Sequence, residues 1–199
     1  MSFFPEPVDP VHQDRQPAWA AAPDDVVPGI VPIDLVLGRS DDAVVVLTEV
    51  RAFPAGLEIS VAVRVRHADP HRDLAVELLP FRGHPDTTSY SEQLMWGLGF
   101  ADGRKVTSVD PPPQGHPPGR PGDERDWMPD HPMLNPRGAH ITGSRGVDLI
   151  YWLWPLPPPG TVQVVCQWVG EGITQTVHDL EAQLFLDAAA RAHPFWPES

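Results

Sequence analysis

The chain has little that would carry a disulfide, cross a bilayer or mark a known catalytic machine. There is one cysteine, Cys166, among 199 residues, so no disulfide can form within it. Flanked by apolar residues at alternate positions, that cysteine is expected to be a small buried hydrophobe rather than a nucleophile. No apolar run approaches the ~20 residues that a spanning helix needs. The opening MSFFPEPVDP has neither a basic nor an apolar stretch of the secretory kind. The expected setting is therefore the cytoplasm. Lysine is almost absent too: Lys105 stands alone, and the other cations are arginines. Lys+Arg total 14 against Asp+Glu 27, a net charge of −13, which argues against docking on phosphate backbones or anionic membranes. The sequence contains no GxGxxG, P-loop, GxSxG or HExxH signature.

Proline and tryptophan are abundant, at 26 and 7 residues. Proline concentrates in residues 1–32 and 110–136, where regular structure is not expected. Residues 1–28 read as an extended arm with Phe3, Phe4 and Trp19 as apolar anchors. Residues 110–137 read as a long Pro-rich insertion around Trp127, with Met128, Met133 and Leu134 able to pin it down.

Between these segments the pattern is β. In LEISVAVRVR, residues Leu57, Ile59, Val61, Val63 and Val65 alternate with Glu58, Ser60 and Arg64, the period of a half-buried strand. The preceding AVVVLTEVRAFP pairs with it as a hairpin, with Glu49 and Arg51 set against Arg64 and Glu58. LMWGLGF and RKVTSVD flank an Asp102-Gly103 hairpin turn. Val147 to Gly170 is expected to be a second hairpin around Pro-Pro-Pro-Gly. Its later strand puts Val162, Val164, Cys166 and Trp168 on one face. Its earlier strand is apolar on both faces, with Ile150, Trp152 and Trp154 opposite Leu149, Tyr151 and Leu153. Residues 179–192 are expected to form a helix capped by Asp179, burying Leu180, Leu184 and Ala188, with Arg191 at its C-terminal end. The tail places Phe195 and Trp196 to fold back on the domain. The pattern predicts an all-β, immunoglobulin-like antiparallel β-sandwich over 29–199 with a C-terminal helix, ahead of a jelly roll or a barrel.

The runs EVRAFPAGLEISVAVRVR, LGFADGRKVT and YWLWPLPPPG followed by CQW resemble an uncharacterised family of small β-sandwich proteins from GC-rich bacteria. YWLWPLPPPG is the most specific of them. The resemblance spans about residues 30–192; it implies one intact domain and transfers no catalytic residue.

Chemistry has two candidate locations. His67, Asp69 and His71, with Asp73, offer nitrogen and oxygen ligands at alternate positions, although Pro70 favours a solvated turn. His116, His131 and His140 border the insertion among several carboxylates. Gly143-Ser144-Arg145-Gly146 lacks the context of a phosphate loop. The aromatic residues carry more weight. The expectation is a non-enzymatic, cofactor-free protein-interaction or structural module, with self-association included. Its anchors are Phe3, Phe4, Trp19, Trp127, Trp152 and Trp154; the alternative is a metal-dependent enzyme or metal binder built on the His/Asp clusters.

Overall fold

The structure is a computed structural model that describes residues 16–71, 73–78, 92–110 and 128–196. Phe3, Phe4, Trp127 and His116 lie outside the described residues. The chain is mostly β, in antiparallel sheets. β1 (Val26–Val27), β2 (Gly29–Val31), β3 (Leu35–Arg39), β4 (Ala43–Phe53) and β5 (Gly56–Val65) come first, followed by a short helix α1 (Leu74–Leu78). Then come β6 (Met95–Gly99), β7 (Lys105–Thr107), β8 (Met133–Ile141), β9 (Gly146–Trp154), β10 (Thr161–Trp168) and β11 (Ile173–Glu181). Helix α2 (Ala182–Ala189) and β12 (His193–Pro194) close the order.

One sheet runs β2-β4-β5-β9-β8, with β3 also on β4; the other runs β11-β10-β6-β7; β1 and β12 make a two-stranded ribbon. IVPIDLVLG holds two strands, β2 ending at Val31 before Pro32 and β3 beginning at Leu35 after it, and both pair with β4. The β4–β5 and β6–β7 hairpins form as the alternation predicts. Arg51 lies opposite Glu58, its guanidinium 2.8 Å from Glu49 and 3.2 Å from Glu58. Glu49, however, faces Ser60 across a bulge, and Arg64 pairs with Asp148 at 2.6 Å instead.

The two sheets share one core. β5 gives it Leu57, Ile59, Val61 and Val63, β9 gives Val147, Leu149, Tyr151 and Leu153, and β10 gives Val162, Val164, Cys166 and Trp168. Each fully buried side chain of this size contributes about 1.5–3 kcal/mol. Trp96 of β6 and Tyr151 of β9 meet edge-on across the gap, ring centroids 4.9 Å apart. At the seam between edge strands β3 and β11, Thr176 Oγ1 and His178 Nε2 both donate to the carbonyl of Leu37, the latter at 3.0 Å.

The expected hairpin over 147–170 is corrected. β9 pairs with β5 and β8, whereas β10 pairs with β6 and β11 in the opposite sheet. The six-residue link PLPPPG contains four prolines. Proline has no N–H to open a ladder and a fixed φ, so the link spans from one sheet to the other instead of folding the strands together.

The C-terminal helix is also corrected. DLE belongs to β11, whose ladder with β10 runs to the Thr161–Glu181 pair, and Asp179 accepts a hydrogen bond from Gln163 at 3.2 Å instead of capping a helix. Strand pairing overrides the weak helix propensity of this run. α2 buries Ala182, Phe185, Ala188 and Ala189, while Leu184 faces solvent. Arg191 does serve the helix end, donating to the carbonyl of Asp187 at 3.0 Å, and reaches Ile30 of β2 at 3.0 Å. Met133 to Arg137, expected in the insertion, are strand residues: Met133 and Leu134 are buried, and Pro136 sits at a bulge on an edge strand, where a missing N–H costs nothing. Among the described residues no helix is long and apolar enough to cross a membrane.

Two measurements probe this packing. A Cβ on Gly29 would lie 1.8 Å from the carbonyl oxygen of Ala188. Gly29→Ala must therefore push α2 off β2, and a loss of about 1–3 kcal/mol is expected in urea unfolding; an unchanged midpoint would show that α2 is not seated there. Burial pushes the Cys166 thiol up to about 12 and raises the Tyr151 phenol. The folded state then keeps protons that the unfolded chain releases. That stability is complete below pH ~9 and lost as pH rises towards 12, by at most about 1.4 kcal/mol per pH unit per group. Cys166→Ala should flatten this slope, and native Cys166, at 0% exposure, should resist thiol reagents until the chain unfolds.

Candidate functional site

The outward face of β9 is where the sequence leaves a question, because Trp152 points away from the shared core. In register it stands in a row with Ile30, Arg51, Glu58 and Asn135 across the larger sheet. Trp152 is nevertheless 0% exposed. Phe53 packs edge-on against it, with centroids 5.7 Å apart and planes at 73°. Gly56 lets the indole lie flat on the β5 turn, since a Cβ there would come within 2.7 Å of the ring and 2.2 Å of the Leu153 carbonyl.

The remaining side is closed by residues 17–21 of the N-terminal arm. Pro17 accepts the N–H of Ala20 at 2.8 Å, making one tight turn. Such a turn leaves its next carbonyls unpaired, as at a helix end. Side chains of the sheet supply the donors. Trp152 Nε1 donates to the carbonyl of Ala18 at 3.0 Å, Asn135 Nδ2 to that of Trp19 at 2.9 Å, and an Arg137 Nη to that of Ala20 at 3.3 Å. Ala21 is buried, and Trp19 half-buried, in this strap. Each such bond contributes about 0.5–1.5 kcal/mol net.

Trp152 is therefore corrected as an exposed anchor: its surface is consumed within the chain, by the arm that Trp19 belongs to. Trp154, at the end of β9, is half-buried. Asn135 and Arg137 carry the strap but gave no sequence signal beyond lying in a stretch read as insertion.

A second surface lies at the C-terminus. β12 pairs with β1, Val26 opposite Pro194 and Val27 opposite His193, and the Phe195 N–H donates to the carbonyl of Asp25 at 2.9 Å. The backbone of the tail thus returns to the domain as expected, but its rings do not. Phe195 is 55% and Trp196 76% exposed, with centroids 5.9 Å apart.

The polar candidates stay apart. His67, Asp69 and His71 lie exposed in the turn after β5. Asp69 accepts the His71 N–H at 2.8 Å, an Asx turn, and His67 stands 3.8 Å from Asp42. His131 is bonded to the adjacent Asp130 at 2.7 Å, which holds that carboxyl below its usual range, and His140 is exposed on β8. Gly143 to Gly146 form the β8–β9 hairpin turn, with Gly143 at φ +96°. Among the described residues no group of three or more His, Cys, Asp or Glu side chains is placed to hold a metal ion.

No family model, curated protein or solved structure matches the chain.

The strap geometry yields a direct check. Trp152→Phe keeps most of the buried ring but removes the donor to Ala18, and should cost about 1–2 kcal/mol. It should also speed proteolytic cleavage between residues 16 and 25. Cleavage at the wild-type rate would mean that the indole N–H does not hold the strap.

Proposed function

We propose that this chain is a non-enzymatic protein-interaction module on an immunoglobulin-like sandwich, acting in the cytoplasm through a protein partner, with a second copy of itself as the first to consider. The strand order supports the architectural part. β4-β5-β9-β8 over β11-β10-β6-β7 is the order in which immunoglobulin-type domains lay strands A-B-E-D over G-F-C-C′. Trp96 stands on the strand in the C position, directly paired with Cys166 on the strand in the F position. The Cys166 thiol has no cysteine partner on β5, so this sandwich relies on packing alone. Membership in the GC-rich bacterial family that YWLWPLPPPG resembles belongs to the same proposal.

The observation that carries the interaction reading is the Phe195–Trp196 pair. Its backbone is pinned by β1, yet the indole is 76% exposed. Leaving a large apolar side chain in water forgoes about 1.5–3 kcal/mol of burial, and tryptophan is prominent among the residues that dominate interface energies. Asp24 lies on the adjoining turn, and the whole chain carries −13. Two copies therefore repel at long range, and their association is promoted by salt, which screens that repulsion.

Sedimentation over roughly 10 µM to 1 mM tests this. The wild-type mass should rise with concentration, more so at high salt, and Phe195→Ala/Trp196→Ala should weaken association at least about tenfold. A wild type that stays monomeric throughout removes self-association from the reading. Association indifferent to the double substitution removes the aromatic corner.

A further inference from the structure

The pocket over Trp152 recognises its occupant almost entirely through main chain. Its three donors, Trp152 Nε1, Asn135 Nδ2 and Arg137, address the carbonyls of three successive strap residues. Contacts of that kind do not depend on which copy of the chain supplies the strap. We propose that the Trp152 pocket is also an acceptor site for residues 17–21 of a second copy, so that copies brought together through the aromatic corner exchange straps; this rests on the self-association reading above.

Charge permits this exchange. The stretch Gln16 to Ala22, QPAWAAA, has no charged side chain, in a chain with net charge −13. The pocket it enters is bordered by Arg137, and Glu58, which stands opposite Trp152, is ion-paired with Arg51 at 3.2 Å. The exchanged segment thus carries no charge of its own for a second acidic chain to repel. Connectivity allows the exchange as well. The strap is joined to the β1–β12 ribbon through residues 22–25, with Pro23 stiffening the link. The ribbon stays with its own body while the strap is handed over. An emptied pocket would expose the buried Trp152, which drives its refilling by whichever strap is at hand. Since the contacts are the same in both arrangements, the balance is set by the tether. This short link holds the strap at an effective concentration on the order of 1 mM. Exchange is therefore a minor form at ~10 µM and about half of the population near 1 mM.

Two full-length single-cysteine additions report on it. Ala20→Cys labels the strap. Gly138→Cys labels the acceptor face beside Arg137, opposite Ile150, where nothing lies within 4 Å of the new Cβ. Native Cys166 is fully buried and stays silent. The two proteins are mixed and treated with a short bismaleimide, so that exchange gives the mixed covalent dimer in excess over the two like-with-like dimers that random encounter produces. Its yield should rise roughly fifty-fold between ~10 µM and ~1 mM. The doubly substituted chain, linked within itself at low concentration, confirms that the two thiols are in reach. A dimer seen by sedimentation without the mixed cross-link overturns strap exchange and leaves the association reading standing. A monomer at every concentration, with no cross-link, overturns both.

Discussion

A strand that is apolar on both faces needs two covers, and β9 is such a strand. Leu149, Tyr151 and Leu153 are covered by the second sheet, an arrangement that any sandwich provides. Trp152, on the other face, requires something the sandwich itself does not supply. The arm, the deletion of a side chain at Gly56, the edge of Phe53 and the donors Asn135 and Arg137 all converge on this one indole. A tryptophan is usually most easily placed where its ring is dry and its N–H is bonded. Here the ring is buried and the N–H is satisfied by a carbonyl from more than a hundred residues earlier in the chain.

The aromatic residues of the protein fall into two classes on the same ground. Trp96, Trp152 and Trp168 are buried and hold elements together. Phe195 and Trp196 follow a strand pinned to β1 and leave most of their ring surface exposed. The functional reading rests on that contrast, not on the number of tryptophans.

What could be read from the sequence was whatever depends on near neighbours. The alternation of β5, the Asp-Gly turn, and the single buried face of β10 from Val162 to Trp168 are local signals and appear as expected. The two-faced character of β9 was legible too, as a problem without its solution. Its solution depends on bringing residues 17–21 beside residues 135–152, which no periodicity encodes. PLPPPG gave a misleading signal: proline and glycine mark a change of direction equally well whether the chain doubles back in one sheet or crosses to another. DLEAQL misled for a different reason, since its helical pattern begins three residues inside a strand whose length is set by its partner, β10.

The alternation of hairpins between sheets has a consequence for how the core is built. β4–β5, β6–β7, β8–β9 and β10–β11 each pair neighbours in sequence, but successive hairpins fall on opposite sides of the core. No hairpin can cover its own apolar face. The pairings that join them, β5 with β9 and β6 with β10, bring together residues as distant as Leu57 and Leu153 or Leu98 and Val164. Loop-closure entropy is spent on these pairings before they return any burial, so folding is slow, as in other proteins dominated by non-local strand pairing. The interior becomes dry only when β9 and β10 arrive, and β9 comes with its second apolar face still open. The strap closes that second face, and a sheet without it displays an indole to any other copy of the chain nearby.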